Sequence, residues 1–199
     1  MITGIRIARA YGRRVRCGMR FVLGISGASG ACFPLRLLDV LCPEHEVHVV
    51  VSDYGKRLLH DEGPGVDALA RPGVVMHPHK DVGASIASGS FRHDGMVVLP
   101  CSSTSLAAIA TGAGSNLLCR AAMVTMKERR RLILCHRETP LSLVDIENMR
   151  QVTLAGAVVC PLNPGYYLQP TSIDDLVDFL VARILDLLGV EHDVGRRWN

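Results

Sequence analysis

The chain has 199 residues, of which 48% are hydrophobic and 21% charged, and its mean hydropathy is +0.23. This composition supports one domain with a substantial core and excludes general disorder. Aromatic residues make up only 5%, which argues against a protein that stacks the bases of single-stranded nucleic acid. No apolar stretch approaches the roughly 18 residues of a membrane span. We therefore expect a soluble globular protein.

The positive charge is concentrated at the amino-terminal end. Residues 1–18 contain five arginines and no acidic residue, which leaves 17 of the 22 basic residues and all 19 acidic residues in 19–199. We divide the chain into a basic extension, 1–18, and a domain, 19–199. The domain has no basic surplus and predicts no nucleic-acid partner. The extension is interpreted as a basic arm, a presequence or a loose segment upstream of Met19.

Apolar runs typical of buried strands alternate with helical patterns along the domain. Strands are predicted at 21–25, 47–51, 74–76, 96–99, 132–134 and 157–159. Helices are predicted after the first strand and at 54–61, 104–128 (interrupted at Gly112 and Gly114), 142–154 and 174–188. Continuous apolar strands joined by helices indicate a parallel sheet covered on both faces. The prediction is an α/β fold with a single doubly wound parallel sheet, whose ligands bind beyond the carboxyl ends of the strands.

The loop after the first strand, 24–30, is rich in glycine and serine. Small residues let backbone amides approach a phosphate, and the N-terminus of the following helix favours an anion. The loop matches neither the dinucleotide pattern GxGxxG nor the pattern GxxxxGK[ST]. A tight strand-to-helix turn without a ligand is the alternative.

Hydroxyl residues follow two other strands. Ser52 ends the second strand, and four consecutive hydroxyl residues, 102–105, follow the fourth. Capping of a helix explains one or two such hydroxyls but not four, so we expect them to contact a phosphate or a flavin edge. A further loop of small and hydroxyl residues, 87–90, is also suited to a phosphate.

Charged residues flank the fifth strand. Arg129 to Arg131, which precede it, are typical of a solvated helix end, whereas Lys127 is one of only three lysines in the chain. Arg137 and Glu138 follow the strand, where site residues are expected, although a structural ion pair is the alternative. Arg183 is a cation on an otherwise apolar helix, and it either extends to solvent or binds an anion.

The cysteines and histidines form no metal-binding pattern. Seven cysteines occur without CxxC spacing, and four of them lie in or beside apolar runs: Cys42, Cys101, Cys135 and Cys160. This usage favours a reducing compartment, and we expect a cytoplasmic protein without a metal.

The chain resembles the UbiX-type flavin prenyltransferases across 19–199, in eight segments: GISGASGA, ASGS, PCSSTSLAAIATG, SNLLCRAAMVTMKERR, RETPLS, ENM, PGYYLQP and DLVDFLVARILDLLG. The resemblance implies a flavodoxin-like or Rossmann-like three-layer fold and a homododecamer. It implies metal-independent transfer of a dimethylallyl group from dimethylallyl phosphate to N5 of reduced FMN, with ring closure at C6. The prenylated FMN would serve a UbiD-type decarboxylase, as in ubiquinone biosynthesis.

The same resemblance assigns roles to residues of this chain, at a site that in this family lies between subunits. Contact with FMN is implied for Gly27, Ala28, Ser29, Ser52, Ser102, Ser103, Thr104, Ser105 and Arg137. Contact with the prenyl phosphate is implied for Ser88, Gly89, Ser90, Arg120, Tyr167, Arg183 and Trp198. Catalytic roles are implied for Glu62, Lys127 and Glu138.

The chain departs from the family pattern at two places. Phe33-Pro34 replaces the usual Tyr-Gly, and Asp145 replaces a histidine. Two other functions stay open: a flavin-dependent cysteine decarboxylase-like enzyme, and a non-catalytic flavin-binding subunit of a decarboxylase. The loop PCSSTS, in place of a PASANT-type loop, argues against the first.

Overall fold

The computed structural model describes residues 18–195 and Arg197. Residues 1–17, which form nearly all of the basic extension, lie outside the described residues, as do 196, Trp198 and 199. The described part contains six strands and six α-helices. In chain order they are β1 (Arg20–Ile25), α1 (Cys32–Leu41), β2 (Glu46–Val51), α2 (Asp53–Glu62), β3 (Val74–His77), β4 (Gly95–Cys101), α3 (Ser103–Thr111), α4 (Leu117–Lys127), β5 (Leu132–His136), α5 (Leu143–Leu154), β6 (Val158–Val159) and α6 (Ile173–Leu188). Short 3-10 helices at Val66–Leu69 and Ser85–Ala87 flank β3.

The strands form one sheet in the order β3-β2-β1-β4-β5-β6, and every neighbouring pair is parallel. The predicted doubly wound parallel sheet is therefore confirmed. The order reverses between β1 and β4, and ligands of such sheets bind at this reversal, beyond the carboxyl ends of the strands. The predicted interruption of 104–128 is also confirmed, because Gly112 ends α3 with φ 72° and Asn116 caps α4.

Helices cover both faces of the sheet in three layers. Alternate side chains of β1 point to opposite faces, as in any strand. Phe21, Leu23 and Ile25 pack with α1 and α6, whereas Val22 packs with α3 and α4. No helix within residues 18–195 is long and apolar enough to cross a membrane.

Backbone hydrogen bonds join the ends of five strands along the carboxyl edge of the sheet. Each is donated by a residue at or just beyond the end of one strand to the end of its neighbour: Ser52 to Ile25 (2.9 Å), Ser26 to Pro100 (3.2 Å), Arg137 to Cys101 (3.2 Å) and Leu162 to His136 (3.0 Å). The loops that leave β1, β2, β4, β5 and β6 consequently start from one continuous, hydrogen-bonded edge.

Ser26 connects the two loops at the reversal of strand order. Its side chain is 1% exposed. The Oγ atom donates to the carbonyl of Pro100 at 2.9 Å and accepts from the backbone N–H of Ser102 at 2.8 Å. Because the site is buried, loss of the hydroxyl would leave the Ser102 amide without a partner or water, whereas the Pro100 carbonyl keeps its bond from the Ser26 amide.

We expect Ser26→Ala to lower the free energy of unfolding by about 1–3 kcal/mol, because it leaves the Ser102 amide without an acceptor. Urea denaturation of the flavin-free protein measures the change. Thr153→Ala is the matched control, since the exposed Thr153 hydroxyl donates to the Met149 carbonyl within α5. A loss no larger than the control's would show that the junction does not depend on this hydroxyl.

Candidate functional site

Glu62 caps helix α1 from the end of α2. Its Oε2 atom accepts hydrogen bonds from the backbone amides of Gly30 (2.8 Å) and Ala31 (3.1 Å). Ala31 is the N-cap residue and supplies no side-chain cap itself. The prediction that the N-terminus of α1 is available to a phosphate is therefore wrong for these two amides, because a carboxylate of the chain already occupies them.

Glu62 is held as an anion. Partial burial by itself raises the pKa of Glu62, but the amides of Gly30 and Ala31, the Ser29 hydroxyl and the charge of Arg137 together hold this pKa below its ordinary value. At neutral pH the carboxylate can accept a proton or a hydrogen bond, but it has no proton to donate.

The loop after β1 retains groups that fit the phosphate of FMN. The amides of Gly27 and Ser29 make no hydrogen bond within the described residues, whereas the amide of Ala28 donates to the Ser26 carbonyl at 2.9 Å. A Cβ atom on Gly27 would lie 2.6 Å from the Cβ of Tyr54, so only glycine lets α2 pack this close. Gly27 and Ser29 would hold the phosphate, while Ala28 contributes its small size.

Ser52 supports the same region from the end of β2. Its Oγ accepts from the amide of Gly55 at 3.0 Å and caps α2. This cap uses a lone pair of the oxygen, so the hydroxyl hydrogen remains available for an acceptor such as a phosphate oxygen.

The four hydroxyl residues at 102–105 differ in their contacts. Ser102 caps α3 by accepting from the amide of Ser105 at 3.3 Å, and its hydroxyl also donates to Ser105 Oγ at 3.2 Å. Ser103 contacts His136 Nε2 at 3.1 Å. Thr104 is exposed beside them. Capping therefore accounts for Ser102, and Thr104 and Ser105 stay as predicted flavin contacts.

Ser103 belongs to a buried network with Asp145 and His136. Hydrogen bonds from the Ser103 hydroxyl and then from the side chain and backbone of Ser142 lower the pKa of Asp145 to about 2. Burial lowers the pKa of His136, although Asp145 opposes that effect, so the imidazole is neutral at neutral pH. Asp145 also completes a capping box at the start of α5. Asp145, which replaces the histidine of the family pattern, thus places a carboxylate next to Ser103 of the hydroxyl run.

Arg137 and Glu138 lie at the carboxyl edge but do not pair with each other. Both side chains are exposed, and no ion pair joins them among the described residues. Glu138 Oε1 accepts from the amide of Thr139 at 3.1 Å. Arg137 acts instead on Glu62, whose pKa it helps to lower. The alternative of an Arg137–Glu138 ion pair is therefore wrong in this structure.

The loop after β6 presents a partly exposed aromatic ring. Tyr167 packs edge-on against Phe179, with 5.8 Å between ring centroids, and is 56% exposed. A Cβ atom on Gly165 would lie 2.7 Å from the Tyr167 ring, so glycine permits this packing. Arg183 is exposed and pairs with Asp186 at 3.3 Å. Trp198, the other predicted aromatic contact, lies outside the described residues.

Three of the residues predicted for the prenyl phosphate, Ser88, Gly89 and Arg120, line one open cleft of about 370 Å³ together with Lys127, which was predicted to be catalytic. Ser90 lies beside them, with its Oγ 2.8 Å from Ser88 Oγ. Lys127 Nζ pairs with Glu128 Oε1 at 2.8 Å. A Cβ atom on Gly89 would collide with that carboxylate and lie 3.3 Å from Lys127 Nζ. The structure thus brings cations and hydroxyls together where an anion can bind.

The cleft and the carboxyl edge are separate in one chain. Helices α3 and α4 form the crossover from the carboxyl end of β4 to the amino end of β5, as the connection between parallel strands requires. Lys127 ends α4, whereas Arg137 follows the opposite end of β5. The predicted flavin contacts therefore lie at the carboxyl ends of the strands, and the Lys127 end of the cleft lies at their amino ends.

Arg130 is a residue that the sequence interpretation missed. Its guanidinium donates to the carbonyls of Gly89 and Phe91, each at 2.6 Å. The prediction of a solvated helix end is therefore wrong for Arg130, although Arg129 and Arg131 are exposed. In a run of three arginines, the sequence does not indicate which side chain bonds to the protein rather than to solvent.

Comparison with known proteins identifies the class. The chain matches the family model described as Flavoprotein over residues 13–185. It is 42% identical over 181 residues to the flavin prenyltransferase UbiX of Thermoplasma acidophilum, which covers 90% of this chain and 100% of the relative. The chain therefore belongs, within the flavoproteins, to the UbiX-type flavin prenyltransferase family. The resemblance seen in its sequence segments is confirmed.

Solved structures agree with this assignment. The crystal structure of AnUbiX (PadA1) in complex with FMN and dimethylallyl pyrophosphate superposes with a TM-score of 0.88 at 41% identity, covering 91% of this chain and 97% of that chain. The dodecameric FMN-dependent UbiX-like decarboxylase from Escherichia coli O157:H7 gives a TM-score of 0.87 at 41% identity, covering 91% and 100%. The cysteine decarboxylase TvaF is 15% identical with a TM-score of 0.61, and this likeness shows the fold alone.

We expect Arg130→Ala to loosen the segment 88–91, because it removes two hydrogen bonds from a charged donor. Each is worth about 1.5–3 kcal/mol, so hydrogen exchange of amides in 88–91 should accelerate by roughly tenfold or more. Arg129→Ala is the control, since Arg129 reaches only the Ala155 carbonyl, at 3.4 Å. Equal exchange in the two variants would contradict a role for Arg130 in holding this loop.

Proposed function

We propose that the chain transfers a dimethylallyl group from a dimethylallyl phosphate to N5 of reduced FMN, followed by ring closure at C6. The observation that carries the proposal is the clustering of Arg120 and Lys127 with the Ser88–Ser90 loop in one cleft. The relative solved with FMN and dimethylallyl pyrophosphate supports it. Reduced FMN, as the acceptor substrate, supplies the nucleophilic N5 and C6 atoms.

The cleft residues would bind the leaving group. Breaking the allylic C–O bond leaves negative charge on the phosphate, which Lys127 and Arg120 stabilise electrostatically. The hydroxyls of Ser88 and Ser90 donate further hydrogen bonds to it. Because these groups neutralise the phosphate, the proposal requires no metal, and no group of three or more metal-ligating side chains occurs in the described part of the chain.

The carboxyl edge would hold the flavin and the prenyl group. Gly27, Ser29 and Ser52 would contact the FMN phosphate, while Thr104, Ser105 and Arg137 would contact the rest of the flavin. The Tyr167 ring would stabilise the cationic character of the allyl group through its π face. Arg183 and Trp198 are proposed to complete the prenyl-phosphate contacts.

Glu138 is the better candidate for proton movement at C6. Its carboxylate is exposed at the carboxyl edge and accepts one hydrogen bond, from the amide of Thr139. Glu62, by contrast, already accepts from two amides and is stabilised as an anion by Arg137. We assign proton transfer to Glu138 and orientation of the flavin loop to Glu62.

A homo-oligomer completes the site. Since the cleft and the carboxyl edge lie apart in one chain, a second copy must bring its cleft to this chain's flavin. Helix α5 carries four exposed apolar side chains suited to such a contact: Leu143 is 72%, Val144 67%, Ile146 49% and Leu154 69% exposed. A relative with 41% identity is dodecameric. We propose a homododecamer in which these α5 side chains are buried.

The remaining assignments follow from the same function. The catalytic domain is 19–199, and the basic extension 1–18 is dispensable for catalysis. The protein acts in the cytoplasm, and a UbiD-type decarboxylase uses its product.

The test is to incubate the protein with reduced FMN and dimethylallyl phosphate under anaerobic conditions and to look for a flavin heavier by one C5H8 unit. A flavin of unchanged mass, with FMN bound, would favour the non-catalytic flavin-binding subunit instead. Release of carbon dioxide from a peptidyl cysteine would favour the cysteine decarboxylase.

In this assay, Lys127→Ala should reduce the efficiency with the prenyl donor by about ten- to a hundredfold, the effect of one lost hydrogen bond to a charged group. Glu138→Gln keeps the shape and should slow turnover by about 10²–10⁴-fold, the scale of acid–base catalysis. Both variants should still bind FMN. Normal turnover of Glu138→Gln would transfer the proton role to Glu62.

We expect Leu143→Glu together with Leu154→Glu to break the assembly into smaller species, because burying two carboxylates in an apolar contact is costly. Light scattering coupled to size-exclusion chromatography measures the mass. Val75→Glu, which places a charge on a 41% exposed side chain at the β3 edge of the sheet, is the control. An unchanged mass in the double variant would remove these α5 side chains from the interface.

A further inference from the structure

Cys135 and Cys160 are adjacent across two parallel strands. Strands β5 and β6 pair Ile133 with Val158 and Leu134 with Val159, which makes Cys135 and Cys160 the next pair in register. The Cys160 amide also donates to the Leu134 carbonyl at 2.9 Å. Neighbouring strands lie about 4.8 Å apart, within the range of Cα separations that a disulfide spans.

The two thiols also lie on the same face of the sheet. Cys135 is buried in the core between the sheet and α6, and Cys160 packs against that same core. The two thiols lie close enough for each to shift the pKa of the other. A bond between the sulfurs would therefore require little movement of the backbone.

The pair is asymmetric in reactivity. The hydrogen bond from Cys135 and the charge of Arg183 lower the pKa of Cys160 to about 7, although burial opposes this. Burial raises the pKa of Cys135 well above its ordinary value. Cys160 is half-buried and Cys135 fully buried. Because the thiolate is the nucleophile, Cys160 is the thiol that reacts first.

We propose that Cys160 and Cys135 form a reversible oxidation site for hydroperoxides. The Cys160 thiolate attacks one oxygen of the peroxide, whose O–O bond breaks, giving a sulfenic acid and hydroxide. The Cys135 sulfur then attacks the Cys160 sulfur and displaces water, which takes up the Cys135 proton. The two cysteines are oxidised by two electrons in total and the peroxide is reduced.

If the proposed function holds, the protein's own flavin site supplies an oxidant for the cysteine pair. Reduced flavin reacts with dioxygen to give hydrogen peroxide, so a site that uses reduced FMN generates the oxidant wherever oxygen enters. Cys160 begins the loop that carries Tyr167, and its thiolate lies close enough to Arg183 to be stabilised by it. The disulfide would remove that negative charge beside a predicted prenyl-phosphate contact.

The experiment uses flavin-free, full-length protein treated with hydrogen peroxide, so that it does not depend on prenyl transfer. After free thiols are blocked, trypsin releases Cys135 in peptide 132–137 and Cys160 in peptide 151–183. We expect these two peptides to be linked, lighter by two hydrogen atoms than their sum, and separated by dithiothreitol. At pH 7, before oxidation, iodoacetamide should alkylate Cys160 roughly tenfold faster than Cys32.

Variants separate the two roles. Cys135→Ser should leave a Cys160 sulfenic acid that dimedone traps, whereas Cys32→Ser, which removes an exposed cysteine that has no thiol partner among the described residues, should leave the cross-link unchanged. If Cys135→Ser does not fold, the wild-type cross-link decides alone. Absence of the 132–137 to 151–183 link in folded wild-type protein, or a Cys160–Cys160 link between chains, would overturn the proposal.

Discussion

The buried hydroxyl of Ser26 is the interaction on which the site geometry depends. It joins the loops that follow β1 and β4, where the order of the strands reverses, by one donated and one accepted hydrogen bond. A parallel sheet diverges at such a point, and the crevice between the diverging loops is where ligands bind. In this chain the two hydrogen bonds of Ser26 hold these loops together at the base of the crevice. The hydroxyl run at 102–105 and the glycine loop at 27–30 therefore start from one hydrogen-bonded junction.

Under the proposed function, the charges at the carboxyl edge surround ligands that are themselves anionic. Glu62 accepts hydrogen bonds from the two amides at the start of α1 that would otherwise attract a phosphate. Arg137 compensates this carboxylate, and Asp145 is compensated by hydroxyl donors from Ser103 and Ser142. Under the proposed function, a phosphate would bind Gly27, Ser29 and Ser52, just before the residues whose amides Glu62 occupies. The proposed anion site would then depend both on the donors that bind phosphate and on the carboxylate that excludes it from the helix end.

The fold could be predicted from the sequence because its signals are local. Apolar runs and helical periodicity located every strand, and Gly112 marked a real break between helices. What escaped prediction depends on contacts between distant parts of the chain. Arg130 bonds to residues about forty positions earlier, and Glu62 caps a helix thirty-one positions earlier. Neither contact leaves a periodic trace, and in a single sequence both side chains look like ordinary solvated charges.

Under the proposed function, the length of one strand makes oligomeric assembly necessary. Lys127 lies before the amino end of β5 and Arg137 after its carboxyl end, and β5 has five residues. At about 3.3 Å per residue, the strand alone separates the two by roughly 16 Å. For transfer, the allylic carbon must lie about 3 Å from N5 of the flavin while its bond to the phosphate oxygen breaks. Since a parallel crossover cannot return Lys127 to the carboxyl edge, a donor bound beside Lys127, as proposed, would reach the flavin of a neighbouring copy and not that of its own chain. Under the proposed function, dissociation of the assembly would abolish prenyl transfer and leave FMN binding by each separate chain.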